Sequence, residues 1–226
     1  VNPTQFNNPE DLLKYQRTLE QDIEKIASLN TNIILFAPSV NEIYDGKILS
    51  ENFDFDGLEN QMEGKFRPGH FNGVGTIVKF LFDIVSPTKA YFGEKDFQQL
   101  QIVKKMVEKN HLEVQVIGCE IYREKNGLAM SSRNERLTEN EKKQAALIYK
   151  TLQSAKEKFK NNSAKKVSDW VKKTFDKNDT FALEYFQIAD ESMLLPCVRK
   201  NKNKTYRAFI AVVINNIRLI DTISLK

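Results

Sequence analysis

Gly93-Glu94-Lys95-Asp96-Phe97-Gln98-Gln99 decides how this chain is read, because it joins an apolar run, Ala90-Tyr91-Phe92, to a helix-patterned segment from Leu100 to Lys109. A strand that ends in glycine and turns into a helix leaves unpaired backbone N–H groups, and the positive end of the helix dipole, facing a ligand. That is an anion pocket, and Lys95 adds a full charge to it. Lys95 and Gln99 are four residues apart, and Asp96 and Gln99 three apart. If Lys95 opens the helix, all three project to one side of the pocket.

Outward from this motif the first half alternates helix-like and strand-like pieces, the mark of a parallel sheet with crossover helices. Pro9-Glu10 opens a helix whose apolar stripe runs through Leu12, Leu13, Leu19, Ile23 and Ile26. Ile33 to Phe36 reads as a short buried strand stopped by Pro38, and a turn-rich stretch from Asp45 to Asp56 carries a short strand near Phe53 to Phe55. His70 to Ile84 reads as a helix closed by Pro87, Phe97 to Lys109 as another, and Val114 to Ile117 as the next strand.

Composition shifts after about Asn134. Thr138 and Glu141 form a capping box that starts a long helix to about Phe159, and Ala164 to Thr174 is a second helix. Leu183 to Ile188, Tyr206 to Ile214 and Ile217 to Ile223 read as strands, the last two joined by Asn215-Asn216, a type I′ hairpin pair. The expected fold is therefore α/β, a parallel nucleotide-binding sheet over residues 1–121. A small α+β C-terminal domain follows over 122–226, with a lid loop at 127–134.

Composition narrows the function classes. With 226 residues and 41% apolar content the chain can fill a real core. Its longest apolar stretches, such as Phe209 to Ile214, fall far short of the roughly 20 residues a membrane helix needs. No secretory signal is visible within the residues from Val1-Asn2-Pro3 onward, a removed one would not be seen, and a cytoplasmic setting is the expectation. Cys119 and Cys197 match no metal spacing and read as reduced thiols. Much of the +4 net charge lies in solvated stretches, Lys156 to Lys166 and Arg199 to Lys204, which hold one aromatic, Phe159, and no glycine, unlike a base-stacking surface, so neither nucleic acid nor membrane is expected as a partner.

Three further clusters bear chemistry. Ser131-Ser132-Arg133-Asn134, behind Gly127-Leu128-Ala129-Met130, offers two hydroxyls and a guanidinium on a loop able to close over a polyphosphate, or simply a turn. Glu63-Gly64-Lys65-Phe66-Arg67-Pro68-Gly69-His70 places Arg67 and His70 ahead of a helix, where His70 reads equally as a cap. Asn2-Pro3-Thr4-Gln5-Phe6 sets two amides beside a proline turn.

In this order, with Tyr15-x-Arg17-Thr18 and Phe36-Ala37-Pro38-Ser39 between them, the clusters closely resemble the pantothenate synthetase (pantoate β-alanine ligase) family of adenylate-forming nucleotidyltransferases. The resemblance implies a Rossmann-like sheet and a two-step ligation: the pantoate carboxylate attacks the α-phosphorus of ATP, magnesium pyrophosphate leaves, and β-alanine attacks the pantoyl adenylate to give pantothenate and AMP. It implies that Gly93, Glu94, Lys95, Asp96, Tyr122, Met130, Ser131, Ser132 and Arg133 line the ATP, with Lys95, Ser131, Ser132 and Arg133 stabilising the transferring phosphate. Tyr122 would contact adenine through its backbone. Gln5 and Gln99 would hold pantoate, Gln5 also β-alanine, and Arg67 would serve as a charge partner or as a structural bridge to Glu63. Asp22 matches an acidic position that serves a metal or the pocket wall, or else is a solvent-facing helix carboxylate. ATP with Mg2+ enters as substrate, no tightly bound cofactor is expected, and a homodimer is.

The family's histidine-x-glycine-histidine motif is not in this sequence, whose only histidines are His70 and His111. The resemblance therefore implies a longer natural protein, with the first strand and helix of the sheet and the proton-donor histidine outside these residues. Two rival readings stand beside the ligase: a related nucleotidyltransferase, and a truncated remnant acting as a dimerisation module.

Overall fold

Among the described residues, the strands all lie beyond Ser86, and the front of the chain is helices and loops. The structure is a computed structural model that describes residues 1–6 and 9–226. It groups into two compact units, Val1–Asp54 with Arg67–Ser86, and Phe55–Phe66 with Pro87–Lys226.

In the first unit, the single helix expected from Pro9 is two: α1 (Pro9–Lys14) and α2 (Leu19–Leu29). Thr18 restarts the helix. Its backbone is non-helical at the N-cap of α2, and its hydroxyl donates to Asp22 at 3.2 Å. No residue of α2 is buried, so the apolar stripe read from the sequence lies open at Leu19 and Ile23. The strand expected at Ile33–Phe36 does not form, and Ile34 is 92% exposed. A strand is a pairing rather than a property of one segment, and no ladder partner runs beside it among the described residues. After Pro38, Ser39 and Glu42 form a reciprocal capping box that starts α3 (Val40–Tyr44).

The next short helix, α4 (Met62–Phe66), belongs to the second unit, and α5 (His70–Val85) to the first. The strand expected at Phe53–Phe55 is also missing, because side chains of α5 take its backbone donors: Glu51 N–H bonds Thr76 Oγ1 at 2.8 Å and Phe53 N–H bonds Asn72 Oδ1 at 3.2 Å. The 3₁₀ turn Pro3–Gln5 lies so close on α5 that a Cβ at Gly73 would stand 2.2 Å from the Thr4 carbonyl oxygen. Glycine there is what lets Gln5 reach the helix's first turn.

The second unit follows the sequence reading closely. β1 (Lys89–Gly93), α6 (Phe97–Lys109) and β2 (Gln115–Cys119) make a βαβ unit, its strands parallel with Tyr91 opposite Ile117. α6 buries Leu100, Ile102, Val103 and Met106. Thr138 and Glu141 cap α7 (Glu139–Asn161) reciprocally, and α8 (Ala164–Phe175) follows. β3 (Phe181–Asp190), β4 (Tyr206–Ile214) and β5 (Ile217–Ser224) form an antiparallel sheet in that order. Asn215 and Asn216 both take positive φ, 46° and 61°, as the hairpin requires. Leu152 and Ala155 of α7, Val167 and Val171 of α8, and Ile210 and Val212 of β4 belong to one core. The chain is thus α/β, with a parallel sheet and a C-terminal antiparallel sheet.

Candidate active site

β1 ends at Gly93, and a 3₁₀ turn, Glu94–Asp96, carries the chain into α6. Lys95 therefore does not open the α-helix. Asp96 keeps a non-helical backbone (φ −98°, ψ 54°), so the helical spacing begins at Phe97 and the shared face with Gln99 is not built as the spacing supposed. Of the neighbouring amides, Gln98 is structural: buried, it accepts from Glu63 N–H at 2.9 Å and donates to the carbonyls of Leu58 and Gln61, both at 2.8 Å. Gln99 is half-buried in the first turn of α6. Among the described residues the Lys95 ammonium has one ion-pair contact, a loose one with Asp96 at 3.7 Å.

The loop of the second cluster is anchored from several sides. Met130 N–H bonds the Tyr122 carbonyl at 2.9 Å, which leaves the side chains of both residues exposed. Arg123 grips Asp221 of β5 with two bonds of 2.6 and 2.9 Å, donates to the Gly127 carbonyl, and lies 3.7 Å over the Tyr149 ring. Burial pushes the Asp221 carboxyl above its ordinary value, and Arg123 pulls against that; the Lys95 charge pulls the same way, so it is felt at this pair. Ser131 caps the 3₁₀ turn Ser132–Arg136, its hydroxyl accepting from Arg133 N–H at 3.3 Å. Asn134, buried, donates to the Ala129 carbonyl at 3.1 Å and to Glu124 at 2.7 Å.

These two pieces share one cleft. Lys95, Ala129, Ser131, Arg133, Asn134 and Arg218 line one small, narrow cleft. Its three cations are not equivalent. Arg218 is neutralised: it donates to Glu63 at 2.7 and 2.8 Å and to Glu184 at 2.9 Å. Burial alone would lower the Arg218 guanidinium, yet the bonds from Glu63 and Glu184 raise it above its ordinary value. The Tyr185 hydroxyl also donates to Glu63 at 2.7 Å, and burial together with that negative charge pushes the phenol well up. Arg133 makes no hydrogen bond or ion pair through its side chain among the described residues, so Lys95 and Arg133 carry the cleft's available charge.

In the first unit, Gln5, Arg67 and His70 converge. The Gln5 carbonyl accepts from His70 Nδ1 at 2.8 Å and from Arg67 Nη2 at 3.2 Å, and Arg67 Nη1 stands 3.2 Å from His70 Nε2. A carbonyl only accepts and a guanidinium only donates, so His70 is the neutral Nδ1–H tautomer. It is not the cap, which Gly69 supplies, and its imidazole instead holds Gln5. Among the described residues the Gln5 amide oxygen accepts one long bond, from Asn2 Nδ2 at 3.4 Å. Asp22 is exposed and paired with Thr18.

Sequence reasoning missed Arg123, Asp221 and Arg218. The signal was Arg218-Leu219-Ile220-Asp221, opposite charges set into an apolar strand, where a charge needs a partner. Among the described residues no group of three or more His, Cys, Asp or Glu side chains is placed to hold a metal, and no helix is long and apolar enough to cross a membrane.

The family model for Pantoate-beta-alanine ligase matches residues 1–224. The chain is 66% identical to a pantothenate synthetase of Flavobacterium psychrophilum and 56% identical to one of Christiangramia forsetii, in both cases over 100% of this chain and 80% of the relative. Among solved structures, a pantothenate synthetase of Thermus thermophilus superposes with a TM-score of 0.90 at 35% identity, over 99% of this chain and 80% of that one. A pantoate-beta-alanine ligase of Francisella tularensis, complexed with Beta-gamma ATP and Beta-alanine, gives a TM-score of 0.76 at 34% identity, over 100% and 77%.

Proposed function

The chain belongs to the pantoate-β-alanine ligase family, and from that premise we propose how its residues divide the work of joining pantoate to β-alanine. The reaction is ATP-dependent formation of pantothenate. Pantoate's carboxylate attacks the α-phosphorus of ATP, pyrophosphate leaves, and the amine of β-alanine then displaces AMP from the pantoyl adenylate. An in-line displacement at phosphorus needs cations and hydrogen-bond donors around the equatorial oxygens more than it needs a nucleophilic side chain.

The observation that carries the assignment is the cleft where Lys95 and Arg133 meet with their charge available while Arg218 is held by two carboxylates. Lys95 and Arg133 take the phosphates, with Ser131 and Ser132 donating to the same oxygens. Gly93 and Asp96 border the turn beneath them, and Tyr122 and Met130 give adenine a backbone edge. Magnesium comes with the triphosphate as part of the substrate. Gln99 and Gln5 hold pantoate through neutral amides, which fix its hydroxyls without quenching the attacking carboxylate; Gln5 also meets β-alanine. Arg67 donates to the Gln5 carbonyl and so holds Gln5 in place while standing beside the entering substrates as a charge partner. The functional division falls near residue 121, phosphate turn before it and lid loop after it, and the active form is a homodimer, to be checked by light scattering. The Francisella tularensis ligase, complexed with Beta-gamma ATP and Beta-alanine, supports this substrate set.

The test is direct. With ATP, pantoate and β-alanine, AMP should appear in step with pantothenate; without β-alanine, pyrophosphate should be released once and a pantoyl adenylate retained. A nucleotidyltransferase of another specificity would release pyrophosphate without pantoate. A remnant would release none.

A further inference from the structure

We propose that Arg207, on β4, is a positioning residue for the nucleotide turn, clamping Glu94 and through it the backbone that carries Lys95. The proposal rests on reading the Gly93–Asp96 turn as the phosphate site. Arg207 is 5% exposed, far from the cleft residues in sequence, and none of the motifs that identify the family contains it. Its planar fork serves two carboxylates: Nη2 donates to Glu94 Oε2 at 2.9 Å, and Nε donates to Glu191 Oε1 at 3.1 Å. The guanidinium also lies 4.0 Å over the ring of Phe97, the first residue of α6. Phe209, two residues along β4 and so on the same face, meets Phe97 with ring centroids 6.1 Å apart. One strand face thus touches the residues on both sides of Lys95 and Asp96.

Glu94 is walled in from the other direction. A Cβ at Gly118 of β2 would stand 3.3 Å from Glu94 Cγ and 2.9 Å from Leu100 Cδ2, so the Glu94 side chain lies between β2 and Arg207. Gly93 before the turn has no side chain to cap it and Asp96 after it makes no side-chain capping bond, so the Arg207–Glu94 pair is a side-chain hold on this turn. Glu94's carboxylate faces Arg207, so its contribution to the nucleotide site is the placement of its neighbour's ammonium. A lysine at position 207 would keep the charge but not the two-acceptor fork.

The experiment measures pyrophosphate release with ATP and pantoate, the later β-alanine step, and thermal midpoint, for Arg207→Lys, Glu94→Gln, Lys95→Ala and the double variant Arg207→Lys/Lys95→Ala. A misplacement near 1 Å costs up to about 100-fold, so Arg207→Lys should slow pyrophosphate release roughly 10- to 100-fold and leave the KM for β-alanine unchanged. Glu94→Gln, which keeps the side chain's shape and one acceptor oxygen for Arg207, should slow the same step less. In the Lys95→Ala background Arg207→Lys should cost under about threefold, because the group it positions is gone. If Lys95→Ala itself leaves pyrophosphate release intact, the phosphate-site reading falls. If Lys95→Ala is damaging yet Arg207→Lys multiplies its loss in full, or slows both steps alike in proportion to a lowered thermal midpoint, Arg207 is only structural and the proposal is overturned; should Arg207→Lys not fold, Glu94→Gln without effect on pyrophosphate release overturns it as well.

Discussion

Ile33–Phe36 and Phe209–Ile214 read alike as apolar strand-sized runs, yet Ile34 is 92% exposed while Ile210 is fully buried. The difference is the partner. β4 lies between β3 and β5 with every residue from Arg207 to Ile214 in ladder register, and α7 and α8 contribute to the same core. Ile33–Phe36 has no ladder among the described residues, and neither does the stripe of α2 find a buried place. Hydrophobic pattern states a demand; a neighbouring element decides whether it is met. The cleft proposed for the phosphates lies wholly in the unit where the demand is met, as expected of a site that must hold charged side chains within fractions of an ångström.

The sharpest way to break this contrast is Arg123→Ala. Asp221 is 4% exposed, and removing its partner leaves a buried carboxylate uncompensated, a loss of about 3–5 kcal/mol in denaturant unfolding. A loss below about 1 kcal/mol, the range of surface pairs, would show that water reaches Asp221 and that the second unit is looser than described. Next comes Ile210→Ala, expected to cost about 2–5 kcal/mol by the same measurement.

A smaller effect is expected at Asp190, where bonds from Met193 N–H at 2.9 Å and the Ser192 hydroxyl at 2.7 Å, with Lys204 nearby, outweigh burial and hold the carboxyl below its ordinary 3.8. A depressed folded value means that its stabilisation is complete above the unfolded value and is lost as pH falls through the folded one. Thermal midpoints followed from about pH 5 down to pH 2 should therefore fall less steeply in Asp190→Asn than in the parent. Parallel curves would remove this carboxylate from the acid response. Least of all should come from Ile34→Ala, within about 0.5 kcal/mol of the parent. A cost above about 2 kcal/mol there would mean that Ile34 is covered in solution, and the contrast between the two runs would collapse.

What the sequence made legible follows the same division. Asn215-Asn216 and the Thr138–Glu141 box are local signals whose chemistry is complete within four residues, and both elements formed where read. Lys95 and the Ser131–Arg133 loop were readable as phosphate-type motifs, and they line one cleft. The placement of Lys95 at a helix start failed because the Asp96 dihedrals, which no residue-type pattern states, delay the helix to Phe97. Arg123 with Asp221, and Arg207 with Glu94, are 98 and 113 residues apart, beyond any spacing rule. The strand at Phe53–Phe55 was lost to side chains of α5 competing for its N–H groups, a tertiary event that local propensity does not register.

The central claim is that Lys95 and Arg133 act together on one triphosphate. Pyrophosphate release from ATP and pantoate, measured for Lys95→Ala, Arg133→Ala and the pair, tests it most directly. Each single change should slow release by about 10²–10³, and the double variant should lose far less than the product of the two. Either single variant releasing pyrophosphate at the parent rate, or a double variant whose loss equals that product, would contradict the account.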